Sequence, residues 1–373
     1  MSVFRSRPAL RWLVPSAAAA VVIGGGAAAG TIVASADPSL PERSAAQLLV
    51  DVQNAKIDGL SGTVVQTADL GLPSLPGLTG SQGNADLTRL IAGSNTARVW
   101  YAGEDKVRLA LLGTLGETDM IRNGSDVWVW RSRDNSATHL TIPAGTDETP
   151  KTLPDLVPST PQEAADAALA AIDPTTAVST TGAAEVAGRP AYELVLAPKD
   201  TGSLIGQVRL AIDAEEHIPL RVDVYAKGAN DPAVRVAFQQ ISFAVPDAEQ
   251  FNFNPPPGTK VTDSTPKQLE QEHAGKAPDA RTPDAQRPKP AGEAQPTVVG
   301  EGWTSVLVAK MPKSDGSENA QIEGVLGSLP KVSGAWGSGR LLSGSLFSAL
   351  LTDDGRVLVG AVAPEKLYEI AGK

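Results

Sequence analysis

Alternating apolar and polar residues predict two series of short strands. The first series contains the runs TARVWYAG, DKVRLALLG, ETDMIRNGSDVWVWRS and ATHLTI, between residues 96 and 142. The second lies between residues 183 and 261, where Tyr192, Leu194 and Leu196 share one face of a strand and Glu193 points to the other. Short turns join successive strands in both series, which predicts an antiparallel meander.

Helical spacing of apolar residues appears before each series and at the end of the chain. The stretch ERSAAQLLVDVQNA predicts a first helix, and GLSGTVVQTADL after it predicts an early strand. The stretch PQEAADAALAAID predicts a second helix, with Pro161 in its first turn. The stretch PEKLYEIAG predicts a closing helix.

The run SDVWVWRS is apolar on both faces of its predicted strand. Trp128 and Trp130 share one face, and Val127 and Val129 share the other. A strand with one face in water would be polar on that face. We therefore expect both faces to be covered. Asn123-Gly124 before it predicts a tight hairpin turn, which we favour over its other interpretation as the start of a glycosylation sequon.

Charge and cysteine content exclude several classes of function. The chain has 373 residues, a net charge of -10 and no cysteine. An acidic chain lacks the basic surface that nucleic acids require, so we expect no nucleic-acid partner. Without cysteine there is no disulfide framework, thiol nucleophile or cysteine-linked lipid. The histidines, His139, His217 and His273, are too dispersed to predict a metal site.

Motifs for catalysis are absent from the sequence. The chain has no G-x-S-x-G elbow, phosphate loop or H-E-x-x-H pair. The acidic cluster in DAEEHIP, residues 213–219, is typical of a hairpin turn. We therefore expect no enzyme, no catalytic residue, no metal and no cofactor.

The N-terminal residues have the pattern of an export signal. Arg5, Arg7 and Arg11 precede an uncharged apolar stretch that ends in Ala34-Ser35-Ala36. Residues 1–36 are thus a cleaved signal peptide or a retained N-terminal membrane anchor. Either interpretation places the remainder on the extracytoplasmic face of the cell envelope, secreted or anchored.

Composition divides the remainder into three parts. Residues 37–262 contain both strand series and form the main predicted domain. Residues 263–299 are charged and rich in proline and alanine, which predicts a flexible linker. Residues 300–373 are strand-rich, and we expect them to extend the sheet of the main domain and cover its edge rather than form their own unit.

Three stretches, in this order and spacing, resemble the LolA family of periplasmic lipoprotein carriers and its relative RseB. They are NGSDVWVW, RPAYELVLAPK and FNFNPPPGTKV. The residues that match the family pattern are Gly124, Val127, Trp128, Trp130, Arg189, Tyr192, Pro198, Lys199, Phe251, Phe253, Pro255, Pro256, Gly258 and Val261.

The resemblance implies a fold and a binding surface. The fold would be α+β, an unclosed antiparallel β half-barrel with helices over its concave face, followed here by the C-terminal strand-rich extension. The family's acyl-contacting aromatic positions fall on Val107 and Leu109, which are aliphatic in this chain. The predicted cavity lining is Val107, Leu109, Leu111, Trp128, Trp130, Tyr192, Leu194 and Leu196.

Two functions follow from the resemblance. In the first, the protein carries the acyl chains of a lipid or lipoprotein and meets a membrane transporter. In the alternative, it is an RseB-like envelope-stress sensor that binds an anti-sigma partner in the membrane. Apolar residues on both faces are also what an ordinary packed core produces, so the pattern at a single position does not separate these functions from a purely structural role.

A long loop interrupts the main domain before the first strand series. The stretch GLPSLPGLTGSQGNADLTRLIAG combines glycines with Leu72, Leu75, Leu78, Leu87 and Leu90. Long loops are usually functional or disordered. We expect this loop to be a lid over the cavity or a contact to a membrane or partner. The alternative is an insertion packed against the edge of the sheet.

Overall fold

A computed structural model describes residues 40–72, 92–113, 116–142, 160–170, 172–264, 296–310 and 327–373. In these residues the protein is mostly β, with few helices. The predicted signal or anchor and the loop residues Leu75, Leu78, Leu87 and Leu90 lie outside them. Within the same ranges, no helix has the length and apolar character needed to span a bilayer.

The predicted helices are present as α1 (Ala45–Asn54), α2 (Pro161–Ala170) and α3 (Pro364–Ala371). Helix α1 begins with a capping box: the Ser44 side chain accepts from the backbone N–H of Gln47, and the Gln47 side chain accepts from that of Ser44. Pro161 and Pro364 occupy the first turns of α2 and α3, where the missing N–H of proline costs no hydrogen bond.

The main domain is one sheet of twelve strands in the order β12-β6-β5-β4-β3-β2-β1-β11-β10-β9-β8-β7. The strands are β1 (Leu60–Asp69), β2 (Ala92–Tyr101), β3 (Lys106–Leu112), β4 (Glu117–Asn123), β5 (Asp126–Arg131), β6 (Ser136–Thr141), β7 (Thr176–Val186), β8 (Arg189–Pro198), β9 (Ile205–Asp213), β10 (Pro219–Ala226), β11 (Pro232–Ser242) and β12 (Lys260–Ser264).

The large sheet is open rather than closed into a barrel. Strands β12 and β7 are its two edges, and they pair with β6 and β8 respectively. Neighbouring strands run antiparallel, except that β12 runs parallel to β6. The sheet therefore fits the predicted open half-barrel, with one parallel edge strand that the meander pattern did not predict.

The C-terminal residues form a second sheet, so the prediction that they extend the first sheet is wrong. Its order is β13-β14-β18-β17-β16-β15. These strands have their own core, in which Val306, Leu350 and Leu358 pack with Leu367 of α3. An amphipathic helix that covers one face makes a separate layer stable. The strands are β13 (Thr297–Val299), β14 (Val306–Lys310), β15 (Lys331–Gly334), β16 (Gly337–Ser343), β17 (Ser348–Thr352) and β18 (Arg356–Gly360).

The predicted linker is partly strand at both ends. Residues 263 and 264 belong to β12, and residues 297–299 form β13. Residues 265–295 lie outside the described ranges, so their flexibility stays a prediction.

The second sheet packs against one part of the first. Leu70 and Val234 of the main domain contact Leu346 and Phe347 in one apolar cluster, and Leu72 packs against its margin. The N–H of Ser345 donates to the carbonyl oxygen of Leu70 at 2.7 Å. The start of the predicted lid loop is therefore bound to the second sheet.

Candidate functional site

The strand register divides the predicted cavity residues between two faces of the large sheet. Leu109 of β3 lies opposite Met120 of β4, whereas Trp128 of β5 lies opposite Ile121. Consecutive strand residues point to opposite faces. Leu109 and Trp128 are therefore on opposite faces. We call these the leucine face and the tryptophan face.

Leu194 belongs to the leucine face. A continuous row of paired residues crosses the sheet from β8 to β2, and all its members point the same way. The row is Leu194, Leu210, Val222, Val236, Gln66 and Asn95. Asn95 shares its face with Val99, which lies opposite Leu109. The leucine face thus carries Val107, Leu109, Leu111, Tyr192, Leu194 and Leu196.

Helices cover the β8 end of the leucine face. Leu48 and Val52 of α1 and Ala165 of α2 pack in one cluster with Leu194 and Leu210. Leu194 and Leu196 are completely buried there, and Tyr192 is 8% exposed. These three predicted cavity residues are core residues beneath the two helices.

The β3 to β5 end of the leucine face keeps apolar surface within reach of a ligand. Val107, Leu109 and Leu111 on β3 are half-buried, as are Val127 and Val129 on β5. Val127 and Val129 lie opposite Arg122 and Met120, which places them on this face. We call these five side chains the apolar strip. Sequence reasoning missed Val127 and Val129, although they alternate with the two tryptophans.

A buried polar side chain lies in the middle of the leucine face. Gln66 of β1 is 2% exposed, and its Oε1 has no hydrogen-bond partner. Its neighbours along β1, Val64 and Ala68, are buried apolar residues of the same face. The leucine face therefore also carries polar side chains, namely Gln66, Asn95 and Arg122.

The chain that follows β11 packs on the tryptophan face beside Trp128 and Trp130, and their place in a cavity lining stays a prediction. Phe253 lies 5.3 Å from the Trp128 ring and 6.3 Å from the Trp130 ring. The preceding 3-10 helix, Ala248–Phe251, contacts β3 and β4, and the Arg108 guanidinium donates to the Gln250 carbonyl at 3.2 Å. The F-x-F motif thus covers the second apolar face of SDVWVWRS.

The family-like arginine of β8 stabilises a turn. Arg189 donates to both carboxylate oxygens of Asp213, at 2.5 and 3.0 Å, and to Glu215 at 2.9 Å. Burial alone would raise the pKa of Asp213, but hydrogen bonds from Arg189 and from the N–H groups of Glu216 and Glu215 outweigh it, and the pKa is lowered. The acidic cluster is therefore a hairpin turn, as predicted. No group of metal-ligating side chains occurs in the described ranges.

Comparison with known proteins supports the family resemblance. Residues 91–257 match the family model described as the MucB/RseB N-terminal domain. No curated protein matches the chain. The predicted resemblance to RseB is thereby confirmed for residues 91–257.

Three solved structures are similar to this chain at low identity. The MucA/MucB complex of Pseudomonas aeruginosa is 15% identical and covers 88% of this chain and 96% of its own, with a TM-score of 0.39. An uncharacterised conserved protein from Thermus thermophilus is 12% identical; the match covers 59% of this chain and 99% of that protein, with a TM-score of 0.32. A LolA superfamily protein from Nitrosomonas europaea is 10% identical; the match covers 57% of this chain and 99% of that protein, with a TM-score of 0.21.

Proposed function

We propose that this protein is a non-enzymatic, extracytoplasmic binding protein that holds an acyl chain of a lipid or lipoprotein against the leucine face. The observation that carries the proposal is the apolar strip, whose side chains are half-buried on a face whose β8 end is covered by α1 and α2. The family match to residues 91–257 and the signal-like residues 1–36 support the class of protein and its location.

Burial of methylene groups would supply the affinity. Each buried CH₂ contributes about 0.8 kcal/mol. About six methylenes against the apolar strip would therefore contribute ~5 kcal/mol before the cost of association. Such a site binds without covalent chemistry and releases its ligand readily, which suits a carrier or a sensor.

A pair of matched variants tests the site. Leu109→Glu places a charge in the apolar strip, whereas Leu112→Glu makes the same change three residues along β3, at a 36% exposed side chain on the tryptophan face. Titration with a fluorescent fatty acid should give a strong loss of affinity for Leu109→Glu and none for Leu112→Glu. Native mass spectrometry of detergent-free protein should show co-purified lipid that only Leu109→Glu lacks. Equal binding by both variants would refute the site.

A regulatory role is the second candidate, because the matching model is that of MucB/RseB. In that role the acyl chain is a signal, and the protein acts on an anti-sigma partner in the membrane. In the carrier role the protein delivers its ligand, for example to a membrane transporter.

Vesicle transfer separates these two roles. A carrier should move a fluorescent lipid from donor to acceptor vesicles at a rate proportional to the protein concentration. A regulator should bind the lipid and leave that rate unchanged. Binding by neither fatty acid nor lipid would contradict both candidates.

A further inference from the structure

His139 on β6 lies between two carboxylates. Its Nδ1 is 3.0 Å from Oδ1 of Asp263, and its Nε2 is 3.0 Å from Oδ1 of Asp126. An ionised carboxylate only accepts hydrogen bonds, and a neutral imidazole has one N–H. Only the imidazolium can therefore donate to both partners, and the neutral ring turns a lone pair towards one of the carboxylates.

One of the two carboxylates belongs to an interior strand of the sheet and the other to an edge strand. Asp126 begins β5, which is paired on both sides, with β4 and β6. Asp263 is on the edge strand β12, which pairs with β6 alone and precedes residues 265–295 and the second sheet. Residues 260–263 of β12 are exposed, so little apolar burial holds this strand in place.

The imidazole ring itself is fixed. It stacks on Trp128 with ring centroids 4.2 Å apart and an interplanar angle of 18°. Phe253 packs on the same tryptophan. The ring therefore stays in position whether or not it is charged, and a change of charge acts on its partners.

Among the residues that the structure describes, the charged groups in contact with His139 are these two aspartates. Lys260 on β12 and Arg131 on β5 both pair with Ser136, three residues from His139 along β6 and thus roughly 10 Å away. Residues 252–258, which carry Phe253, contain no charged side chain. Burial alone would lower the pKa of His139, whereas the hydrogen bonds to Asp126 and Asp263 raise it, and the pKa is raised from 6.5.

We propose that His139 is a pH-operated latch that ties β12, the strand leading to the second sheet, to the large sheet. The imidazolium bridges Asp126 and Asp263. Loss of the proton leaves one N–H, which stays with Asp126 on the fixed strand β5, and Asp263 is released. Detachment of the five residues of β12 lengthens the connection between the sheets by up to about 17 Å and exposes the edge of β6.

The sign of the effect follows from linkage. Because the folded-state pKa of His139 is raised above 6.5, the stabilisation is fully present below about pH 6.5 and is lost as the pH rises through the folded-state value. The latch closes in acid and opens in alkali. This inference is independent of the proposed acyl ligand.

Hydrogen exchange on the full chain tests the latch. After correction for the intrinsic pH dependence of exchange, protection of the amides of β12 should fall between pH 5.5 and 8, because the neutral imidazole no longer donates to Asp263. His139→Gln should remove this pH dependence, and His217→Gln, at a turn histidine, should keep it. Unchanged protection in the wild type, or persistence of the dependence in His139→Gln, would overturn the proposal.

A second variant covers the case in which His139→Gln does not fold. Asp263→Asn alters a side chain that is 85% exposed, so the fold should tolerate it. Its β12 should be poorly protected even at pH 5.5, and the pKa of His139, followed by NMR of the ring proton, should fall. Wild-type protection and an unchanged pKa in this variant would equally reject the latch.

Discussion

Leu109 and Trp128 lie on opposite faces of the large sheet, because their partners on β4, Met120 and Ile121, are consecutive residues. The predicted cavity lining is thereby split. Leu109, the β3 position that matches the family pattern, lies on the leucine face. The F-x-F segment packs on the tryptophan face. Substitutions on the two faces should have separable effects on binding and on stability.

Phe253→Ala should lower stability without affecting acyl binding. Phe253 packs on both Trp128 and Trp130 but is only half-buried, so we expect a loss of about 1–3 kcal/mol, below that of a fully buried phenylalanine. Urea unfolding measures the loss, and fatty-acid titration of the folded variant measures affinity. A large fall in affinity would place the ligand on the tryptophan face instead.

The sequence predicted strands and helices well because their signals are local. The alternation in β3 and β5 and the turn signal at Asn123-Gly124 are read from adjacent residues. The observed turn lies one residue later, at Gly124-Ser125, with Asn123 opposite Asp126. A two-residue turn at either place puts the same β5 residues on the face of Met120, so the relation between the faces of β4 and β5 was predictable. The relation between β3 and β4 depends on the longer connection 113–116, whose conformation no turn motif specifies. Without the conformation of that connection, the sequence could not show whether Leu109 and Trp128 lie on the same face of the sheet.

The second sheet was not predicted for a different reason. Its strands have the same alternation as those of the main domain, and alternation does not say which edge a strand joins. The closing helix was predicted, but its buried face meets Leu350 and Leu358, far along the chain from any main-domain strand. Only the three-dimensional packing shows that this helix gives the extension a core of its own.

Asp213→Asn should destabilise the protein at neutral pH and much less in acid. The Asp213 side chain is fully buried against Arg189, and breaking such a pair costs about 3–5 kcal/mol. Because the folded-state pKa of Asp213 is lowered, its contribution is present above the unfolded value of 3.8 and is lost as the pH falls through the folded value. Urea unfolding should show the difference between the two proteins shrink as the pH falls below 3.8. Asp231→Asn, at an exposed turn residue, is the control, and an equal effect there would refute the assignment.

Leu346→Ala should weaken the junction between the two sheets. Leu346 is 3% exposed and packs with Leu70 and Val234 across the junction. We expect a loss of about 2–4 kcal/mol in thermal or urea unfolding. Val298→Ala, in the same sheet but 42% exposed, should change stability by no more than about 0.5 kcal/mol. If the two variants behave alike, the contact between the sheets contributes little to stability.

Gly62→Ala should disturb the leucine face at a closely packed position. Gly62 lies opposite Val99, which in turn lies opposite Leu109. A Cβ at this position would be 2.6 Å from the carbonyl oxygen of Gln240 and 2.8 Å from the Phe238 ring. The backbone oxygen cannot move without shifting β11, so we expect a loss of about 1–3 kcal/mol. Gly327→Ala is the matched control, because a Cβ there meets nothing within 4 Å, and its stability should be equal to or slightly above that of the wild type. A stable Gly62→Ala protein with unchanged fatty-acid affinity would show that the backbone of β11 shifts easily to admit the methyl group. It would also show that the close approach of Phe238 to Gly62 does not determine the shape of the binding face.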